Sequence, residues 1–445
     1  MENKEKVAII SFAIISVLAL GILITIMAMN ARSVSVFSKD MELFEKIDLG
    51  EATLTQYTVY GTHFNLTIKI DHQERLKNIS EAKILLRDQS GKDLEYFLDY
   101  NIKSDEILFT TSDNINTGIN LEDIDVGKYY VVLKVTTQEI DHNNKITRDY
   151  YYAIVNQTEY DNITYYTITK GNSNNEVNLL FNEIPNKYIT TLYIDVKSCK
   201  LPENVYDIVI DAGHGGADEG ASGNGYIESE ITLEYAELLK RKFERLGLKV
   251  KLTREENETR MDTYGEGGRY IIANEVKAKL QLSIHFNSSL NQEVSGVEIY
   301  SPNSSDLAFS QTLAKSLVEK AGASYSPNNV WKIYDGVYVR TFSDKEMEEM
   351  IEYANDYGFE PYDITSHTSY YGVIRESGGI MTGAYVDGRN GNFGDNPYWN
   401  SNVGVETYLL ELGYITNKDE INNVLQKIGI YTDVIVMNTK EYLGI

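Results

Sequence analysis

Hydrophobic positions divide the chain into three stretches with different periodicities. The first is a continuous apolar run from Val7 to Met29 without a charged residue. The second, from about residue 50 to 199, consists of short segments in which apolar and polar residues alternate, as in "NLTIKI". From about residue 205 onward, short apolar segments alternate with segments of helical periodicity. These periods predict a membrane-spanning helix, a β-rich part and an α/β part.

The run 7–29 is long enough to cross a bilayer as a helix. Lys4 and Lys6 precede it, and the positive-inside rule therefore predicts that residues 1–6 are cytoplasmic. Residues 30–48 would then form a linker on the other side of the membrane. A cleaved signal peptide is the alternative, but the run is long for one and no clear cleavage site of small residues follows it.

Residues 49–199 are predicted to form an antiparallel β-sandwich. Their segments are rich in Tyr, Thr, Ile and Val, and polar turns such as "QSGKD" and "DHNNK" separate them. Asp125, Gly127 and Tyr129 match the Asp-x-Gly-x-Tyr corner of immunoglobulin-like folds, although a simple turn before a Tyr-rich strand explains them equally well. No catalytic set of residues stands out, so we expect a spacer or a protein-docking module.

Residues 204–445 are predicted to form an α/β domain with a mostly parallel sheet covered by helices on both faces. The apolar strands "YDIVID", "LKVKLTR", "LQLSIHF" and "VETYLLELGY" alternate with helical segments, of which the longest covers 228–247. An insertion of about residues 323–400 precedes the last strand, and its acidic segment 343–356 is expected to be helical. In such open sheets, ligands bind beyond the carboxyl ends of the strands.

Composition narrows the classes of function. A chain of 445 residues with 42% hydrophobic residues predicts more than one domain with sizeable cores. The formal net charge of −25 argues against nucleic acid as a partner, because nucleic-acid binding proteins carry a basic surface. The single cysteine, Cys199, excludes a disulfide framework within the chain.

Titratable residues lie at the ends of three predicted strands. His214 follows "IVIDAG", His285 ends "QLSIH", and Glu411 lies in "YLLELGY", while Glu228 opens the helix that follows His214. Two histidines and one glutamate leave an open coordination position for water on a tetrahedral zinc ion. Mg²⁺ fits less well, because it prefers oxygen ligands in octahedral geometry.

Each of these residues also has a structural explanation. A histidine among glycines commonly caps a turn, Glu228 suits the first turn of a helix, and His285 can be a hydrogen-bonded core residue. Glu411 is harder to explain in this way, because an unpaired carboxylate in a central strand is costly to bury. The residues taken singly leave both explanations open.

The segments "IVIDAGHGG", "ESEITL", "KVKLTR", "SIHFNS" and "LLELGYITN" occur in an order and spacing that resemble the zinc-dependent N-acetylmuramoyl-L-alanine amidase family. That family cleaves peptidoglycan between muramic acid and the first L-alanine of the stem peptide. The resemblance covers about residues 205–445. It implies one Zn²⁺ per chain held by His214, Glu228 and His285, with Glu411 as the catalytic acid/base.

The resemblance also implies peptidoglycan as the substrate and a bacterial origin. We therefore expect a single-pass protein of the bacterial cell membrane with its catalytic domain on the cell-wall side. Arg254, Arg375 and Asn287 are candidates for substrate binding, and the two arginines are chosen on charge alone. The sequence departs from the family at Ala212, where Pro is usual, and at Phe286, where a small residue is common.

Two other functions remain open. A zinc peptidase that acts on peptidoglycan stem peptides needs the same ligand set. An inactive amidase-fold protein that binds the cell wall is the second alternative, and the presence of all four site residues argues against it.

The acidic segment 343–356 suggests regulation. One of its carboxylates (Glu346, Glu348 or Glu349) is expected to reach the open zinc position and inhibit the enzyme. A protein activator that acts through the β-rich part would release it. The alternative is that the segment lines the substrate groove.

Overall fold

The computed structural model describes residues 49–445 apart from short internal gaps, which are 72, 89, 112–113, 142–143, 157–161, 170–173, 185–188, 258–266, 304, 359–362 and 386–395. The predicted cytoplasmic tail 1–6, membrane helix 7–29 and linker 30–48 lie outside the described residues. Within the described ranges, no helix is long and apolar enough to cross a membrane.

The described residues of the β-rich part include twelve strands that belong to one hydrogen-bonded sheet. They are β1 (Leu49–Tyr60), β2 (His63–Asp71), β3 (Ile79–Asp88), β4 (Asp93–Phe97), β5 (Asp99–Ile102), β6 (Glu106–Thr110), β7 (Ile119–Asn120), β8 (Gly127–Asp141), β9 (Asn144–Val155), β10 (Ile163–Tyr166), β11 (Asn174–Ile184) and β12 (Ile189–Cys199). Short 3₁₀ helices occupy Glu74–Leu76 and Leu121–Asp123.

Alternation along these strands sets their buried face, as the sequence predicts. Leu66, Ile68 and Ile70 of β2 point into a shared apolar core, while Lys69 between them is less buried. The strands of this part pair antiparallel with one exception, since β1 pairs with β9 in parallel. The prediction of a purely antiparallel arrangement is wrong for that pair, because alternation fixes which face is buried and not the partner strand.

The turn before β8 forms a tyrosine corner. The hydroxyl of Tyr129 donates a hydrogen bond of 3.0 Å to the backbone carbonyl of Asp125. This is the bond that fixes such corners in immunoglobulin-like sandwiches. The sequence motif therefore marks a real local structure and not only a loose turn.

The α/β part is built on a seven-stranded sheet of order β16-β13-β17-β22-β18-β20-β19. Its strands are β13 (Ile208–Ala212), β16 (Val250–Leu252), β17 (Leu280–Asn287), β18 (Glu298–Tyr300), β19 (Lys332–Tyr334), β20 (Val337–Tyr338) and β22 (Glu406–Tyr414). The first four strands in this order are parallel, and β18 is antiparallel to β22. This confirms the mostly parallel sheet that the alternating pattern predicts.

Helices cover both faces of this sheet. They are α1 (Glu228–Arg245), α2 (Ile272–Glu275), α3 (Ala308–Ser316) with a π-helical turn at Leu317–Ala321, α4 (Asp344–Tyr357), α5 (Gly372–Ser377), a 3₁₀ turn at Gly379–Met381, α6 (Lys418–Gln426) and α7 (Ile428–Tyr442). A separate hairpin joins β14 (Ser222–Gly223) to β15 (Tyr226–Ile227).

The two faces of the sheet differ in character. Ile210, Leu282 and Leu410 of the central strands join the large core on the side of α1 and α7. Because side chains alternate along a strand, the residues next to them in sequence project to the other face. That face carries polar groups near the carboxyl ends of β13, β17 and β22, and it is there that α5 packs on β22.

The two parts of the chain are in direct contact. Strand β21 (Val403–Gly404), from the segment before β22, pairs in parallel with β1, so it extends the sheet of the β-rich part. The contact lies at the amino ends of the parallel strands, where Asn116 reaches Glu406. The β-rich part is therefore held at the end of the sheet opposite to the carboxyl ends.

Candidate active site

The glycines around His214 permit a turn that other residues would obstruct. His214 follows β13 and has a positive φ of 61°. A Cβ on Gly213 would lie 2.5 Å from the carbonyl oxygen of Ile284 and 2.6 Å from Cε1 of His285. A Cβ on Gly220 would lie 2.6 Å from Cδ2 of His214. The loop can therefore bring His214 against β17 only if these positions stay small.

Three side chains meet at the carboxyl ends of the strands. Nε2 of His214 and Nδ1 of His285 both lie 3.1 Å from Oε1 of Glu228. The ligand atoms of the three residues all lie within 4.8 Å of one another. The sequence predicted this set, and the structure brings its members together from a loop, a helix start and a strand end.

Glu228 is the first residue of α1 and is only 3% exposed. Its Oε2 accepts a hydrogen bond from the backbone N–H of Ala221 (2.8 Å), and its Oε1 accepts one from that of Phe286 (3.0 Å). Burial works to raise the pKa of this carboxyl, but hydrogen bonds with His214 and His285 outweigh burial and hold the pKa well below its usual range. Glu228 is therefore ionised, as a metal ligand must be.

The ring of His214 is oriented by Asp218, which the sequence analysis did not single out. Nδ1 of His214 lies 2.9 Å from Oδ2 of Asp218, whose Oδ1 accepts from the N–H of Gly220 (3.1 Å). Burial opposes a charge on His214, but the hydrogen bonds with Glu228 and Asp218 leave its pKa raised. A carboxylate on the far nitrogen is the usual support of a metal-binding histidine.

The ring of His285 is held by a buried ion pair, which the sequence analysis also missed. Nη2 of Arg269 lies 3.0 Å from Nε2 of His285, and Arg269 binds Asp211 through two contacts of 2.8 Å. Ser283 and Thr253 donate further hydrogen bonds to Asp211. Burial alone would raise the pKa of Asp211, yet Arg269 lowers it. The acid at the end of a buried strand was the signal that could have revealed this pair.

Glu411 lies on β22, where its direct neighbours across the strands are His285 and Glu298. Its Oε2 is buried and has no hydrogen-bond partner among the described residues. Burial raises the pKa of Glu411 well above its usual value, and the charges of Glu228 and Glu298 add to this effect. A carboxyl in this position readily holds a proton.

The donors fit a zinc ion. Two imidazole nitrogens and one carboxylate oxygen form a common zinc ligand set, and they converge from separate elements. Among the histidine, cysteine and acidic side chains that the structure describes, His214, Glu228 and His285 form the group of three that lie near enough to share an ion. The buried Oε2 of Glu411 beside it is a polar atom in need of a partner.

Two of the three predicted substrate-binding residues are buried and serve the structure. Arg254 is 2% exposed and donates to the backbone carbonyls of Ala212, Gly213 and Ser229 at 2.6–3.1 Å. It therefore braces the loop behind His214, and the prediction that it contacts substrate is corrected.

Arg375 is likewise inside the fold. It is 7% exposed and donates to Glu376 and to the carbonyl of Tyr370, each at 2.8 Å. Its assignment to substrate is corrected for the same reason. Asn287 lies two residues beyond His285, and its Oδ1 accepts from the N–H of Ser288 at 2.8 Å. A role for Asn287 in substrate binding stays a prediction.

Helix α4 does not place a carboxylate among the metal-ligand candidates. Glu346 accepts from Ser343 in a capping box and lies 3.2 Å from Nη2 of Arg340. Glu349 is paired with Lys345 at 3.3 Å. Among the described residues, none of the three candidate carboxylates (Glu346, Glu348 and Glu349) belongs to the group that lies near enough to share an ion. The prediction that one of them occupies the zinc position is therefore wrong for this arrangement.

Comparison with known proteins agrees with the geometry. The family model described as N-acetylmuramoyl-L-alanine amidase matches residues 208–349. The matched range contains His214, Glu228 and His285, whereas Glu411 lies beyond it. The assignment of Glu411 therefore depends on its motif and its position in the structure.

Curated relatives include the probable cell wall amidase LytH of Staphylococcus saprophyticus, which is 35% identical over 117 residues, or 26% of this chain and 37% of the relative. LytH of Staphylococcus aureus is 33% identical over 124 residues, or 27% of this chain and 40% of the relative. The chain thus spans well under half the length of these relatives. The catalytic domain of CwlV, an amidase from Bacillus (Paenibacillus) polymyxa, is 22% identical with a TM-score of 0.36, covering 54% of this chain and 99% of that domain.

Proposed function

We propose that this chain, whose residues 208–349 match the family model described as N-acetylmuramoyl-L-alanine amidase, hydrolyses the amide bond between N-acetylmuramic acid and L-alanine in peptidoglycan. The observation that supports this most is the convergence of His214, Glu228 and His285 beside Glu411. Each of the four has a defined task in amide hydrolysis.

His214, Glu228 and His285 would hold one Zn²⁺. The chemistry that a bound zinc ion supplies at such a site is polarisation of the scissile carbonyl and a lowered pKa for water. Asp218, beside the far nitrogen of His214, keeps that imidazole ring in the orientation that this requires.

Glu411 acts as general base and then as general acid. Its Oε2 takes a proton from the water that attacks the scissile carbonyl carbon. It then passes that proton to the nitrogen of L-alanine as the C–N bond breaks. Burial and the charges of Glu228 and Glu298 raise the pKa of Glu411 above its ordinary value, which suits a carboxyl that must both take up and return a proton.

The location that we propose is the outer side of a bacterial membrane. The uncharged run 7–29 and the lysines at 4 and 6 support a single-pass anchor with the catalytic part towards the cell wall. The β-rich part would lie between the anchor and the enzyme, where a protein activator can bind it.

The products of digestion test the proposed activity. Full-length protein in detergent is incubated with purified peptidoglycan, and the soluble products are identified by mass spectrometry. Stem peptides that begin with L-alanine and free glycan strands support the amidase. Shortened stems that are still attached to glycan indicate the zinc peptidase instead. Wall binding without any released product indicates the inactive scaffold.

A further inference from the structure

A row of tyrosines extends from Glu411 towards the insertion. Glu298, the strand neighbour of Glu411, accepts a hydrogen bond of 2.6 Å from the hydroxyl of Tyr300. The ring of Tyr300 lies 4.7 Å from that of Tyr371, which precedes α5. Tyr371 also packs against the apolar cluster that contains Tyr300 and Leu409, and Leu409 lies on β22 two residues before Glu411.

Arg340 lies at the far end of this row. Its guanidinium carbon is 3.4 Å from the ring centre of Tyr370 and 5.5 Å from that of Tyr371. Its Nε is buried and has no hydrogen-bond partner among the described residues. The side chain is nevertheless 25% exposed. Arg340 is therefore a cation that is held in place and open to solvent.

Two other arginines near the site already have buried partners. Arg269 binds Asp211, and Arg254 is surrounded by backbone carbonyls. The interaction of Arg340 with its carboxylate partner is weaker. That partner is Glu346, which lies 3.2 Å away and whose side chain is 27% exposed. The pair is partly exposed to solvent, which screens its charges, so Arg340 can exchange Glu346 for another carboxylate.

We propose that Arg340 and Tyr371 form a subsite that binds a carboxylate of the peptidoglycan stem peptide and that Glu346 competes for Arg340 until substrate arrives; this rests on the proposed amidase function. The planar guanidinium fork matches a carboxylate, and its stacking on Tyr370 fixes its direction. The insertion then lines the substrate groove, and it restrains the enzyme only through this exchange.

A substitution of Glu346 can test the competition for Arg340 while it preserves the start of α4. Its Oε2 accepts from Ser343 in the capping box, while its Oε1 faces Arg340. Glutamine at this helix position also completes a capping box. Glu346→Gln therefore keeps the start of α4 and removes the charge that competes for Arg340.

The test compares two N-acetylmuramoyl peptides that differ only at the residue after L-alanine, whose carboxylate is free in one and amidated in the other. Full-length Arg340→Gln should raise KM for the free carboxylate by roughly 10–100-fold, the loss expected for a charge-assisted hydrogen bond, with little change in kcat. KM for the amidated peptide should change little. Arg148→Gln, an exposed arginine on β9, is the matched control.

Glu346→Gln should lower KM for the free carboxylate several-fold and leave the amidated peptide unaffected. An equal loss on both peptides in Arg340→Gln, with the preference of the wild type retained, would overturn the subsite and make Arg340 a structural residue. An unchanged KM in Glu346→Gln would overturn the competition.

Calorimetric binding of the same two peptides separates this inference from the proposed activity. If the wild type binds the free-carboxylate peptide through Arg340 and cleaves neither peptide, the subsite is supported and the amidase activity is wrong. If both peptides are cleaved and their binding is independent of Arg340, the activity is supported and the subsite is wrong. If the wild type binds neither peptide, the subsite is wrong.

Discussion

Buried charged residues lie at both ends of the parallel strands, and their surroundings differ. At the amino ends, every oxygen of the buried carboxylates is occupied. Asp207 accepts from the N–H of Thr169 at 3.0 Å, and Glu406 accepts from Asn116 at 3.1 Å and from Tyr442 at 2.7 Å. Residues of the β-rich part supply Thr169 and Asn116, so these carboxylates join the two parts of the chain.

At the carboxyl ends, the hydrogen bonding is incomplete. Two imidazole nitrogens share a single oxygen of Glu228, and Oε2 of Glu411 has no partner in the described ranges. Unsatisfied buried groups are rare in native proteins and usually mark a ligand or a reaction. The strand β22 carries one example of each kind, since Glu406 begins it and Glu411 lies near its end. Burial alone therefore does not distinguish these two carboxyls, whereas their hydrogen bonds do.

Removal of a ligand from the carboxyl end should have the largest effect. We expect His214→Ala to lose most of its zinc and all measurable amidase activity, because Glu228 and His285 alone are too few ligands for tight binding. Zinc per chain is measured by elemental analysis and activity by release of stem peptides. Asn116→Ala at the other end is the control and should keep its zinc. Full zinc in His214→Ala would show that His214 is not a ligand.

Replacement of each glutamate of β22 by glutamine sharpens the comparison within one strand. Glu411→Gln should lower kcat by roughly 10²–10⁴-fold while zinc stays bound, because only the proton transfer is lost. Glu406→Gln should keep both zinc and kcat near wild type. Rates and zinc content of the two variants are measured side by side. A wild-type rate in Glu411→Gln would remove its role as acid/base.

The convergence of side chains at the carboxyl ends could be predicted from the sequence, because the sequence signals for each of these residues are local. His214 lies among the glycines that its turn requires, and His285 and Glu411 end strands whose apolar pattern is plain. Parallel strands bring such ends to one edge, so the convergence of the side chains follows from the fold class.

The amino end and the supports of the site could not be predicted in this way. Asn116 meets Glu406 across 290 positions, and Arg269 meets Asp211 across 58. Hydrophobic periodicity carries no information about such pairs. The prediction that Arg254 contacts substrate was wrong for the same reason. The sequence shows that the residue is charged, but it does not show whether the side chain faces a groove or a backbone carbonyl.

The pH dependence of the free energy of unfolding should include a contribution from Glu406, at the amino ends of the parallel strands. Burial raises the pKa of Glu406 to about 7 from an ordinary value of 4.5, so the folded state binds more protons than the unfolded state between these values. The contribution of Glu406 to the free energy of unfolding should therefore fall by about 3 kcal/mol as pH rises from below 4.5 to above 7. Denaturant titrations at pH 4.5 and 8 measure it. Glu411, whose pKa burial also raises, adds a fall of the same sign, so Glu406→Gln should make the dependence less steep without abolishing it. An equally steep change in that variant would assign the dependence to other groups.

The smallest effect should come from the contact between the two parts. Asn116 donates to Glu406 and accepts from the N–H of Asp306 at 3.0 Å, so Asn116→Ala leaves buried polar groups without partners. We expect a loss of about 1–2 kcal/mol in the free energy of unfolding with kcat unchanged. Asn101→Ala, an exposed asparagine on β5, should cost less than about 0.5 kcal/mol. If the two variants lose the same stability, the Asn116 contact does not hold the parts together. If Asn116→Ala also lowers kcat, the two ends of the sheet are coupled and the division between a structural end and a reactive end is wrong.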